Sequence, residues 1–100
     1  MQFTKSLFAV LLAVGVSANN HKYCNCHVNG ALDVGLSHDA CTAWGGIYPN
    51  TEWVSNRASC HDYNPSATAG IDGARWESFC KTEYHGNQGV DAVRGNCFEK

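Results

Sequence analysis

No apolar run in this chain is long enough to cross a bilayer. The longest, Leu7 to Val16, has ten residues, against the ~20 that a membrane helix needs. No cluster of basic residues exists either: Lys22, Arg57, Arg75, Lys81, Arg94 and Lys100 stand apart. Electrostatic capture of nucleic acid or of an anionic membrane is therefore not expected. The one near match to a glycosylation site, Asn64-Pro65-Ser66, is blocked by its proline. No serine sits in a nucleophile elbow, and no glycine loop carries a strand into a helix around a phosphate. Zinc spacings are missing too. Cys24 and Cys26 are one residue apart, and neither Cys26-His27 nor Cys60-His61 extends into a ligand set. No metal or cofactor is expected.

What is present begins with a targeting pattern. Lys5 supplies a positive start, Leu7 to Val16 an apolar stretch, and Val16-Ser17-Ala18 the small residues that precede signal-peptidase cleavage. Residues 1–18 read as a signal peptide, with no transmembrane anchor left after processing. Residues 19–100 then form one secreted, extracellular domain of 82 residues. A core of that size needs staples. All six cysteines, Cys24, Cys26, Cys41, Cys60, Cys80 and Cys97, fall within it. In an oxidising compartment they are expected to form three disulfides. The domain carries six Lys and Arg against nine Asp and Glu, a net charge of −3.

Tyr23 to Val28 reads as a first strand, closed by an Asn29-Gly30 turn. In a strand, i and i+2 face the same way, so Cys24 and Cys26 both point at the core. Ser37 to Trp44 reads as a short helix, capped by Ser37 and stopped by Gly45-Gly46. Ile47-Tyr48 and Glu52 to Val54, interrupted by Pro49-Asn50, read as an edge strand. Arg57 to Tyr63 reads as a third strand and Asn64 to Gly70 as a loop. Ile71 to His85 is the clearest helix, with Asp72 as cap and Trp76, Phe79, Cys80 and Tyr84 on one stripe. Ala92 to Phe98 is the last strand. The order βαββαβ predicts an α+β split βαβ sandwich: two helices on one face of a four-stranded antiparallel sheet.

Signal peptide, Cys-x-Cys strand, helix ending in Gly-Gly, lone Cys60, Phe79-Cys80 helix and C-terminal Cys97 together resemble small secreted cysteine-rich proteins of filamentous fungi. Many of these are candidate effectors. The architecture is also similar to that of the virally encoded killer toxins of smut fungi. Members of that group often carry paired helical cysteines; here Cys41 and Cys80 stand alone. The resemblance implies a secreted interaction protein, effector or toxin-like, acting on a host or competitor protein or cell-surface target. It carries over no functional residue.

Trp44, Trp76 and Phe79 lie on helix faces and read as core. Tyr48 and Trp53 flank the Pro49-Asn50-Thr51 turn and form a candidate contact surface, the alternative being that Trp53 caps the open end of the core. The alternative function is a small secreted hydrolase, a ribonuclease before others, for which Glu52, His61, His85 and Arg75 supply an acid-base pair and a phosphate-steadying cation.

The cysteine connectivity expected from direction alone joins Cys24 and Cys26 to the two helices, one to Cys41 and the other to Cys80. Cys60 and Cys97 are left to each other. A rival joins Cys41 to Cys80 and sends Cys24 and Cys26 sideways to Cys60 and Cys97.

Overall fold

The computed structural model describes residues 20–63 and 70–99. The expected signal peptide and the loop residues 64–69 lie outside the described residues. In chain order the elements are β1 (Asn20–His21), β2 (Tyr23–Val28), β3 (Ala31–Leu32), α1 (Val34–Gly45), β4 (Thr51–Val54), β5 (Ser59–Asp62), β6 (Ile71–Asp72), α2 (Gly73–Glu83) and β7 (Val93–Phe98). Short 3-10 turns at Ser55–Arg57 and Val90–Ala92 precede β5 and β7.

The Cys-x-Cys strand β2 is the centre of the molecule. Along one edge it pairs with all of β7, from Tyr23 opposite Phe98 to Val28 opposite Val93. Its other edge is shared: β5 takes Tyr23 and Cys24, and β3 takes His27 and Val28. β4 lies beyond β5 as the edge strand. The path β7–β2–β5–β4 is antiparallel throughout and has the strand order of a split βαβ arrangement. The sheet nevertheless has five strands, not four. Asn29 and Gly30 both adopt left-handed backbone, φ 53° and 81°, as a tight hairpin turn requires. This folds Ala31–Leu32 back onto β2. β1 and β6 pair separately as a two-stranded ribbon.

Between β5 and β3 the edge of β2 is open at Cys26. Ser37 fills this gap. The Cys26 N–H donates to Ser37 Oγ at 2.7 Å, and the Cys26 carbonyl accepts from the Asp33 N–H at 3.0 Å. Ser37 is thus a buried sheet-edge partner and not the helix cap. The cap is Asp33, whose carboxylate accepts from the Leu36 N–H at 2.9 Å, so α1 begins three residues before the expected start. Asp72 does cap α2.

Other boundaries shift inward from the sequence reading. Ile47-Tyr48 stays outside β4, which starts at Thr51. Ala58, at φ 47°, ends the 3-10 turn and delays β5 to Ser59. α2 stops when Tyr84 turns extended, two residues before Gly86.

Both helices cover the face toward which Cys24 and Cys26 point, and the core lies between. Trp44 and Trp76 are buried and meet edge to face at 5.8 Å, and Phe79 packs on Trp44 at 4.9 Å. The three disulfides are Cys24–Cys97, Cys26–Cys80 and Cys41–Cys60, with no free cysteine.

This connectivity corrects both expectations. Cys26 does reach a helix, at Cys80. Cys24 does not, because Cys97 faces it across the β2–β7 ladder with Cα atoms 4.0 Å apart. The Gly95 N–H points away from β2 and donates to Glu77 Oε1 at 2.9 Å. Cys26–Gly95 and, two residues along, Cys24–Cys97 are therefore the closely spaced, non-hydrogen-bonded pairs. Cys60 flanks Cys24 on the opposite side, two strand spacings or about 9.6 Å from Cys97. That distance forbids a Cys60–Cys97 bridge, and Cys60 takes Cys41 from the helix above it.

Gly95 also sets how closely α2 approaches β7. A Cβ there would lie 2.9 Å from Trp76 Cδ1 and 3.1 Å from Glu77 Cα. Gly95→Ala is expected to destabilise the protein by about 1–3 kcal/mol, as overpacking does. Urea unfolding followed by circular dichroism checks this.

Candidate functional site: the outer sheet face

Because Cys24 and Cys26 point at the helices, Tyr23, Asn25 and His27 point the other way. Among the described residues neither α-helix lies on that side. Four strands each give one residue to a single cross-strand row: Glu52 from β4, His61 from β5, Tyr23 from β2 and Phe98 from β7. The rings of His61 and Tyr23 stack at 4.7 Å and 18°, those of Tyr23 and Phe98 at 5.5 Å and 14°. At the end of the row Glu52 Oε2 lies 3.2 Å from His61 Nδ1. A carboxylate can only accept, so Nδ1 carries a proton, and in the neutral imidazole Nε2 is then the acceptor.

Beside this row runs a polar ladder that starts at the exposed Asn96 and passes through the buried Asn25 and Ser59. Asn96 Nδ2 donates to Asn25 Oδ1 at 3.1 Å, and Asn25 Nδ2 donates to Ser59 Oγ at 3.1 Å. Ser59 Oγ in turn donates to the Arg57 carbonyl at 2.8 Å. Every donor points in the same direction, from β7 through β2 and β5 to the turn that carries Arg57. The guanidinium of Arg57 sits 4.3 Å from the Tyr23 ring centroid and holds Glu99 at 2.6 Å. The hydrogen bond from Arg57 keeps the Glu99 carboxyl below the usual carboxylate range, and the same bond raises Arg57. Both groups are exposed, so the pair contributes little to stability and is open to exchange for another anion.

The residues singled out from the sequence divide. Glu52 and His61 are neighbours. Arg75, in the first turn of α2, instead donates to the Tyr48 hydroxyl. His85 follows the end of α2 and is exposed. Tyr48 and Trp53 are half-buried against the core. Tyr48 packs on Trp44 at 4.6 Å with the rings tilted by 32°, and Trp53 meets His38 edge to face at 4.9 Å. No group of three or more His, Cys, Asp or Glu among the described residues could hold a metal ion.

No family model matches the chain, and searches of curated proteins and of solved structures return no match.

Tyr23, Arg57 and Phe98 were not reached from the sequence. A signal existed for Tyr23. Alternation through Tyr23-Cys24-Asn25-Cys26 puts an aromatic on the far face as soon as the cysteines are assigned inward. No helix of the described residues is long and apolar enough to cross a membrane.

Proposed function

We propose that this protein is a secreted, disulfide-stapled interaction module that meets its target through the outer sheet face. Its resemblance to fungal effectors and killer toxins points to a host or competitor cell as the place of action. One observation carries the proposal: the Glu52–His61–Tyr23–Phe98 row, built from four strands, is pinned by Cys24–Cys97 directly beneath it. A rigid aromatic row binds with little loss of side-chain entropy, and tyrosine and arginine are the residues that most often dominate interface energy.

The test is saturable binding of the labelled, natively oxidised protein to intact plant cells and to fungal cells. Glu52→Arg, an exposed reversal of charge on the face, is expected to weaken binding at least ~10-fold. Lys81→Glu on α2 leaves it intact. Equal loss in both variants, or no saturable binding by the unaltered protein, refutes the proposal.

The hydrolase reading retains one specific support. Of its four candidate residues, Glu52 and His61 form a carboxylate–imidazole pair, joined through Nδ1 at 3.2 Å.

A further inference from the structure

The geometry points to a base site on the outer sheet face for a substrate that brings its own nucleophile, namely the 2′-hydroxyl of single-stranded RNA. This rests on the hydrolase reading and deepens it. Among the described residues, the strands of this face offer no free nucleophile. The Ser59 hydroxyl is buried and donates to the Arg57 carbonyl, the Thr51 hydroxyl donates to the Tyr48 carbonyl, and every cysteine is bridged. What the face does offer is a base, a cation and an apolar wall.

The base is His61 Nε2, with Glu52 holding Nδ1 and so fixing the tautomer. The cation is Arg57. Its guanidinium lies 4.3 Å from the Tyr23 ring centroid and the imidazole 4.7 Å from it, which sets the two within about 9 Å of each other. A ribose and its 3′-phosphate fit that span. Phosphate displaces Glu99 from Arg57, since the planar guanidinium pairs with phosphate oxygens in two-point fashion. Phe98, at the end of the row, supplies a ring for an unpaired base to contact, and the Tyr23 ring, held between His61 and Phe98, supplies its edge. The face carries no excess of positive charge: Arg57 and Arg94 are balanced by Glu52 and Glu99. Affinity then comes from apolar contact at Phe98 and one phosphate contact, and the substrate is a short single strand.

The reaction is transesterification. The 2′-hydroxyl gives its proton to His61 Nε2, the O2′–P bond forms and the P–O5′ bond breaks. The leaving 5′-oxygen, on the far side of phosphorus, takes its proton from water, and the imidazolium returns its own proton to solvent. The products are a 2′,3′-cyclic phosphate and a 5′-hydroxyl, with no net consumption of water. His61 is the catalytic residue, Arg57 binds the phosphate, and Glu52 is a positioning residue.

The experiment uses the natively oxidised protein and an end-labelled RNA oligonucleotide, with its all-deoxy counterpart as control. Cleavage to cyclic-phosphate ends is expected for the RNA alone. His61→Ala and His61→Gln, each confirmed to carry three disulfides and an unchanged circular dichroism spectrum, reduce kcat/KM by ~10²-fold or more. Glu52→Gln lowers kcat about tenfold at constant KM, and Glu52→Asp restores part of it, a pattern that a purely structural role does not produce. Arg57→Ala raises KM. Uncut RNA, equal cleavage by the His61 variants, or cleavage of the deoxy strand overturns the inference. If RNA stays uncut while Glu52→Arg still abolishes cell binding, the base-site assignment falls and the interaction module stands.

Discussion

Replacing Cys26 and Cys80 together by alanine is expected to lower stability by about 3 kcal/mol and the melting temperature by about 15 °C. The bridge joins positions 54 residues apart, which by loop entropy alone corresponds to roughly 4 kcal/mol. Cys24–Cys97 remains in the variant, however, and already ties the same two ends of the chain together. The loop newly released runs only through residues 24–26 and 80–97, and for so short a loop the contribution is about 3 kcal/mol. In a domain of this size each kcal/mol moves the midpoint by about 4–8 °C. Direction matters as well as length. Cys24–Cys97 links two strands already paired over six residues, whereas Cys26–Cys80 joins sheet to helix layer. Removing Cys26–Cys80 should therefore loosen α2 preferentially, seen as early hydrogen exchange in Gly73–Glu83. Thermal unfolding by circular dichroism provides the check. A fall of less than about 5 °C would show that packing alone holds α2 in place.

The same two cysteines show how far the sequence could be read. The period-2 argument placed Cys24 and Cys26 on one buried face, and both are fully buried. It could not choose their partners, because a core-facing residue on a central strand sees a helix above and a strand on each side. Which neighbour is nearest depends on register, and register is set by pairing far along the chain: residue 24 with residue 97. Element type was recoverable wherever the periodic signal ran long, as in β2 and α2. It failed where a segment was too short to show a period, as with Ala31–Leu32. It also failed where a polar residue had two good uses. Ser37 suits a cap, but the unpaired Cys26 amide beneath it needs a partner more, and Asp33 stands one turn earlier to take the cap.

The candidate site was legible to the same degree. Glu52 and His61 were two of four residues chosen by type, and only the β4–β5 register brings them face to face. Arg75 and His85 have the right chemistry, yet both belong to the helical layer, and their place in the chain carries no sign of this. Arg57 has the required type too, but its position depends on a left-handed Ala58 and on the Asn96–Asn25–Ser59 ladder. Neither is marked by any pattern. Asparagine in a central strand is uncommon, and an Asn between two inward cysteines is the one hint that the far face has polar work to do.

Trp76 connects the core to that face, and Trp76→Ala is expected to cost about 4 kcal/mol. The side chain is fully buried, packs edge to face on Trp44 at 5.8 Å, and donates its indole N–H to the Asn25 carbonyl at 2.8 Å. Truncation opens a cavity between α2 and the sheet that cannot collapse, because Cys26–Cys80 holds the two apart at a fixed distance. Large buried aromatics cut back to alanine cost about 3–5 kcal/mol under such conditions. Trp76→Phe separates packing from hydrogen bonding. It keeps most of the ring and loses one bond, an expected cost of about 1–2 kcal/mol. The two variants also differ at the outer face. Asn25 is the middle rung of the ladder that fixes Arg57, and the Trp76 bond holds its backbone from below. Trp76→Ala should therefore raise the hydrogen exchange of Asn25 and Asn96 as well as lower the urea midpoint, whereas Trp76→Phe should change the midpoint with a smaller effect on exchange. If Trp76→Ala costs less than about 2 kcal/mol, the helix layer relaxes onto the sheet in spite of the bridge. The outer face would then not depend on the core beneath it.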